Sequence, residues 1–214
     1  MPEPRTALVV GASGLIGSFL LERLLDSPAY ARVTVWARRP LAVTHPKLTV
    51  EIVDFAKLEE RRVEAQDVFC CLGTTIKQAR SQDAFRRVDH DYPVALAKAA
   101  ARDGAKRLLV VSALGASPRS GVFYNRVKGE MEAAVCAARV AQTSLFRPSL
   151  LSGPRKEERT GEKIGLVIGK VLGPLLGRYR PIHADLVAVA MQKVAEQDLP
   201  GRIYESNEIR ALAG

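Results

Sequence analysis

The chain is short of soft and imidazole metal ligands, with three cysteines and three histidines in 214 residues. Cys70, Cys71 and Cys136 cannot close into pairs, and the first two are adjacent inside the apolar run Val68-Phe69-Cys70-Cys71-Leu72. Such cysteines read as buried strand residues in a reducing compartment, not as a disulfide framework. His45, His90 and His183 are far apart in sequence, so no metal site is expected. Long apolar stretches are missing too. The run after Met1-Pro2-Glu3-Pro4-Arg5 is broken by Gly11, which leaves no secretory core of about 7–15 residues. Ile164 to Leu176 is interrupted by Gly165, Gly169, Lys170, Gly173 and Pro174, short of the ~20 residues that cross a bilayer. These shortages set the expectation of a cytoplasmic protein without a transmembrane segment. Acidic residues are outnumbered: 32 Lys and Arg against 23 Asp and Glu give +9 and a pI near 9.7. That excess points to anionic partners such as phosphate cofactors, nucleic acid or lipid. No nucleic-acid recognition motif or aromatic stacking series accompanies it, so specific nucleic-acid binding is not expected.

What is present is a core-forming composition, 47% hydrophobic and 26% charged, of a size for one α/β domain. Strand-like runs recur at Thr6 to Val10, Arg32 to Ala37, Leu48 to Val53, Asp67 to Leu72, Lys106 to Ser112, Ser144 to Arg147 and Arg202 to Glu205. Helical periodicity separates them, over Leu15 to Leu25, Asp89 to Asp103, Asn125 to Arg139 and Ala184 to Glu196. Continuous apolar strands such as Ala7-Leu8-Val9-Val10 suit a parallel sheet covered on both faces. The expected fold is a doubly wound, Rossmann-type α/β domain over residues 1–214, with 153–182 as a glycine-punctuated cap near the carboxyl end.

The first strand-to-helix turn reads Gly11-Ala12-Ser13-Gly14-Leu15-Ile16-Gly17. Glycines let the backbone approach a pyrophosphate, and free N–H groups at the helix start attract its charge. A glycine loop on its own serves any tight turn; its place between first strand and first helix is what points to a dinucleotide. Gly11, Ser13, Gly14, Leu15, Ile16 and Gly17 are therefore expected to hold the cofactor. The second strand ends in Ala37-Arg38-Arg39. An NAD-preferring site places an acidic residue about there, whereas two guanidinium groups favour a 2′-phosphate. NADP(H) is expected over NAD(H), the alternative being that Arg38 and Arg39 form a solvated basic loop.

Tyr124-Asn125-Arg126-Val127-Lys128 places a tyrosine and a lysine four apart on one helix face. A nearby ammonium stabilises phenolate and brings the tyrosine into range as a proton donor. A surface Tyr and Lys on an amphipathic helix would show the same spacing.

The Gly-x-x-Gly-x-x-Gly spacing, the Tyr-Lys helix, and the strings Val110 to Ala116, Phe146 to Pro154 and Pro181 to Ala188 resemble the short-chain dehydrogenase/reductase superfamily. The match extends over nearly the whole chain and is nearest the atypical, Tat-interacting-protein-like oxidoreductase group. The resemblance implies catalytic roles for Tyr124, Lys128 and a serine at the end of the fifth strand. Ser112 is the candidate and Ser117 its substitute, because Ala113 and Leu114 follow Ser112 where the superfamily's serine is expected. It further implies that Asp54 touches the adenine, although a turn-capping aspartate would look the same. Cys71, Leu72, Gly73 and Thr74 would run beside the nicotinamide ribose with Lys128, and Arg147 and Pro148 would meet the nicotinamide. His183 belongs to a string that is structural in the family.

Between Arg155 and Arg180, basic residues interleave with apolar ones. A cap over a small substrate is the first reading of this segment, with homodimerisation and peripheral membrane contact as competing uses. Two functions follow: an NADP(H)-dependent oxidoreductase acting on a small carbonyl or alcohol, or an NADP(H)-binding regulatory or sensor protein with little catalysis.

Overall fold

The computed structural model describes residues 4–153 and 179–214. Seven strands, β1 (Arg5–Val10), β2 (Tyr30–Ala37), β3 (Leu48–Ile52), β4 (Asp67–Cys70), β5 (Arg107–Val111), β6 (Gln142–Arg147) and β9 (Ile203–Glu205), form one sheet in the order β3-β2-β1-β4-β5-β6-β9. Every neighbouring pair is parallel. Alternation along β1 sorts its side chains to opposite layers. Ala7 and Val9 face the helices α1 (Leu15–Asp26) and α6 (Ala184–Glu196), meeting Leu20, Leu24, Val187 and Met191. Leu8 and Val10 face α4 (Tyr92–Arg102) and α5 (Phe123–Ala137), meeting Leu96, Ala100, Met131 and Val135. Burying each such Leu or Val contributes roughly 1.5–3 kcal/mol, and this two-sided burial selects the doubly wound arrangement.

The strand order reverses between β1 and β4, and in open parallel sheets the crevice at such a reversal is where ligands bind. At the opposite edge, Asp67 is fully buried and accepts from Tyr30 Oη at 2.8 Å and from Arg107 at 2.8 Å, with Arg5 at 3.3 Å. Arg5 also donates to the carbonyls of Ala195 and Glu196, which ties the start of β1 to the end of α6. This cluster explains why β2 begins at Tyr30, two residues before the apolar pattern suggests: the Tyr30 phenol is held inside.

The helix after β4 is longer than its apolar period indicates. Ser81 caps α3 (Gln82–Arg86) by accepting from the Ala84 amide at 3.1 Å, and helical backbone continues through a π segment, Arg87–Asp91, into α4. A one-turn helix, α2 (Ile76–Ala79), precedes it. The last helix, α7 (Ser206–Ala213), carries no long apolar period and is started by a capping box between Glu205 and Glu208. Most of the expected cap, residues 154–178, lies outside the described residues. Its two ends meet, because β7 (Leu151–Ser152) pairs in parallel with β8 (Ile182–His183). Among the described residues no helix is long and apolar enough to cross a membrane.

Candidate dinucleotide and Tyr-Lys site

Gly11 stands at φ +94°, and a β-carbon there would lie 2.7 Å from the carbonyl carbon and oxygen of Cys71. The first turn is thus pressed against the end of β4, where the Cys71 amide donates to the Val10 carbonyl at 2.8 Å. A β-carbon on Gly14 would meet the Gly11 oxygen at 3.2 Å, and one on Gly17 would collide with the Gly11 backbone. Gly14 is the N-cap of α1; no side chain caps the helix, and no acidic residue stands in its first turn. The leading amides of α1 are therefore left to an anion approaching over Gly14, a cradle that suits a pyrophosphate. Ser13 is exposed in this turn, Leu15 half-buried and Ile16 buried.

Arg38 and Arg39 are exposed just beyond β2, and the Arg38 guanidinium lies over the Phe55 ring at 5.9 Å. Asp54 caps the 3-10 turn Phe55–Glu60, accepting from the Ala56 amide at 2.9 Å. Leu72 is buried, Cys71 and Thr74 are half-buried and Gly73 is exposed along the loop after β4. Burial pushes the Cys70 thiol up to about 11 and the Cys71 thiol higher still, so neither serves as a thiolate near neutrality.

On α5, Tyr124, Lys128 and Glu132 recur every four residues, on one face. The half-buried Tyr124 ring packs on the fully buried Phe85 with centroids 5.5 Å apart. Lys128 is only 3% exposed and forms an ion pair with Asp89 at 2.8 Å. Desolvation works against the ammonium, but Asp89, with Tyr124 and Cys70 adding to it, holds the Lys128 pKa above the ordinary lysine value. A β-carbon on Gly129 would overlap the backbone of Ser117 and Pro118, so α5 lies directly against the loop after β5.

Ser112 is buried, and its hydroxyl donates to Glu132 Oε1 at 2.5 Å. Glu132 is also gripped by Arg147 at 2.9 and 2.5 Å, and Arg147 reaches on to Glu205 at 3.1 Å. Ser117 is half-buried, with its hydroxyl oxygen accepting from the Arg119 amide at 3.3 Å. Pro148 is buried and its carbonyl accepts from the Leu114 amide at 3.0 Å. His183 caps α6, its Nδ1 accepting from the Asp185 amide at 3.3 Å. Asp89 and Glu132 escaped the sequence reading. Both stand among ordinary charged helix residues, and no local spacing marks a carboxylate that folding turns inward.

A family profile described as NAD(P)H-binding matches residues 11–152, from the glycine turn to β7. The chain belongs to this NAD(P)H-binding family. The NAD(P)H-binding chain is also similar to Protein HTATIP2 of Rattus norvegicus, 38% identical over 166 residues that cover 75% of this chain and 68% of that protein. Protein FMP52, mitochondrial, of Eremothecium gossypii is 33% identical over 216 residues, 96% of each chain. Among solved structures, MoeE5 in complex with UDP-glucose and NAD superposes with a TM-score of 0.71 at 20% identity, covering 97% of this chain and 80% of that one. UDP-glucuronic acid 4-epimerase from Bacillus cereus in complex with NAD gives 0.69 at 14% identity, with 92% and 76% covered. These last two bear out the Rossmann-type fold. One expectation is corrected: FMP52 relatives from three fungi are named mitochondrial, which overturns the cytoplasmic location read from composition. The cysteines are corrected as well: only Cys70 is a buried strand residue, Cys71 being half-buried in the loop after β4 and Cys136 exposed on α5, and free cysteines do not distinguish one reducing compartment from another.

Proposed function

We propose that this NAD(P)H-binding protein is an NADP(H)-dependent oxidoreductase acting on a small carbonyl or alcohol. The observation that carries the reading is the buried Lys128, ion-paired with Asp89 and one helical turn from Tyr124 on α5. When bound, the dinucleotide supplies or receives the hydride. Tyr124 gives its phenolic proton to the carbonyl oxygen, or takes it from the alcohol, while the Lys128 charge favours the phenolate left behind. Arg38 and Arg39 receive the 2′-phosphate, with Phe55 supporting Arg38 from beneath. Gly11 to Gly17 cradle the pyrophosphate, and the loop Cys71 to Thr74 with Pro148 borders the nicotinamide end. Ser112 assists only if its hydroxyl leaves Glu132.

The experiment is titration of the purified chain with NADPH and NADH, followed by a panel of small carbonyls and alcohols, each run with Tyr124→Phe. Loss of turnover with NADPH binding retained supports the reading. The engagement of Ser112 by Glu132 favours the second reading, an NADP(H)-binding regulatory or sensor protein, for which Tyr124→Phe changes nothing and no panel compound turns over.

A further inference from the structure

Lys128 and Asp89 form the most deeply enclosed ion pair of the Tyr-Lys site, with side chains 3% and 0% exposed and 2.8 Å between Nζ and Oδ1. An ammonium removed from water loses its proton unless a counter-charge stands beside it. The titratable groups facing Lys128 are Asp89 from the π segment, Cys70 from β4 and Tyr124 from its own helix. Cys70 is pushed up to about 11, and Asp89 is the one carboxylate among the three. Glu132, the next carboxylate on this face of α5, is taken by Arg147 and Ser112. His90, beside Asp89 in sequence, pairs with Asp91 at 2.8 Å. The other Asp89 oxygen, Oδ2, accepts from the Thr74 amide at 2.8 Å, in the loop after β4.

Asp89 reaches this position from the wide turn Arg87–Asp91. A π turn carries one residue more than an α turn and offsets the side chains around it by about 100°. Here it delivers one carboxylate inward.

We infer that Asp89 is a positioning residue for the Tyr124–Lys128 pair: its carboxylate keeps the buried Lys128 ammonium charged and fastens it to the loop after β4 through the Thr74 amide. Its consequence for proton transfer rests on the oxidoreductase reading; its effect on Lys128 does not. Without the carboxylate, Lys128 titrates downward, and above that lower pKa Tyr124 loses the cation that stabilises its phenolate.

The test is a titration of the lysine side chains by NMR in the full chain labelled at lysine Cε, with the Lys128 signal assigned by its loss in Lys128→Met. Lys128 of the unaltered protein is expected to titrate above the ordinary 10.5, and that of Asp89→Asn at least ~2 pH units lower. Asp89→Glu, which keeps the charge, should restore most of the difference. Equal titration in the unaltered protein and Asp89→Asn overturns the inference. So does a Lys128 of the unaltered protein that titrates at or below 10.5, a result that does not depend on the folding of Asp89→Asn. Where the substrate panel yields turnover, Asp89→Asn should lose rate progressively as pH rises and recover it in acid. It should add no loss on a Lys128→Met background, and an added loss there also overturns the role. Absence of turnover in every protein removes the oxidoreductase reading and leaves the Lys128 titration to decide on Asp89.

Discussion

A β-carbon on Gly17 would run into the carbonyl group of Gly11 six residues earlier, so the first turn of α1 and the end of β1 pack backbone to backbone. No rotamer change relieves such an overlap. Gly17→Ala should therefore destabilise the fold by about 1–3 kcal/mol and, on the proposed reading, weaken NADPH binding by displacing the amides assigned to the pyrophosphate. Thermal melting and a fluorescence titration check both; unchanged affinity would show that the turn does not hold the cofactor.

Removing the phenolic proton should separate binding from chemistry. Tyr124→Phe keeps the ring on Phe85, so its melting temperature should stay close to that of the unaltered protein. Its turnover should fall by ~10²–10⁴, measured as NADPH oxidation with whichever panel substrate reacts.

The proposed NADP(H) preference rests on Arg38 and Arg39. Replacing both with serine should lower NADPH affinity by roughly ten- to a hundredfold and leave NADH affinity unchanged. The NADPH affinity of the unaltered protein should fall with added salt, since both groups are exposed. Calorimetric titration at two ionic strengths reads both effects.

Glu132 joins three elements through Ser112, Arg147 and, beyond Arg147, Glu205. Glu132→Ala leaves the half-buried Arg147 with one carboxylate in place of two and should destabilise by about 3 kcal/mol. Ser112→Ala removes one hydrogen bond and should cost about 1 kcal/mol, with less than a tenfold loss of turnover. A loss as large as that of Tyr124→Phe would restore Ser112 to direct contact with substrate. Denaturant unfolding and the same turnover assay decide.

Stability should decline in alkali through Tyr30. Burial and the Asp67 carboxylate push its phenol well above the ordinary value of 10.0. The folded state keeps a proton that the unfolded chain releases above about pH 10. Stability from this group is therefore complete below that pH and lost as pH rises beyond it. Tyr30→Phe should flatten the alkaline decline in denaturant unfolding between pH 8 and 11, at a cost of about 1–3 kcal/mol near neutrality.

Several of these residues were legible in the chain itself. The glycine turn could be read because strand, three glycines and helix follow one another without a gap, and each glycine answers to a backbone contact. Tyr124 and Lys128 could be read because helical spacing puts positions four apart together. The start of the helix at Ser81 was missed, since a cap and a π segment leave little apolar period between residues 82 and 91. The capping-box helix at the carboxyl end was missed for the same reason. The hydroxyl of Ser112 could be doubted from the alanine after it, but its partner Glu132 lies on another element, 20 residues on.

The sequence by itself determined the sheet, the glycine turn between its first strand and first helix, and the helix that bears Tyr124 and Lys128, because these depend on local period and on backbone fit. Only the tertiary structure decided which charges face one another. Asp89 meets Lys128, Glu132 meets Ser112 and Arg147, and Asp67 meets Tyr30, Arg5 and Arg107 across 15 to 62 residues of chain. The physical reason is that burial selects the partner of a charge by position in space, and no spacing along a chain records where a distant element will cross.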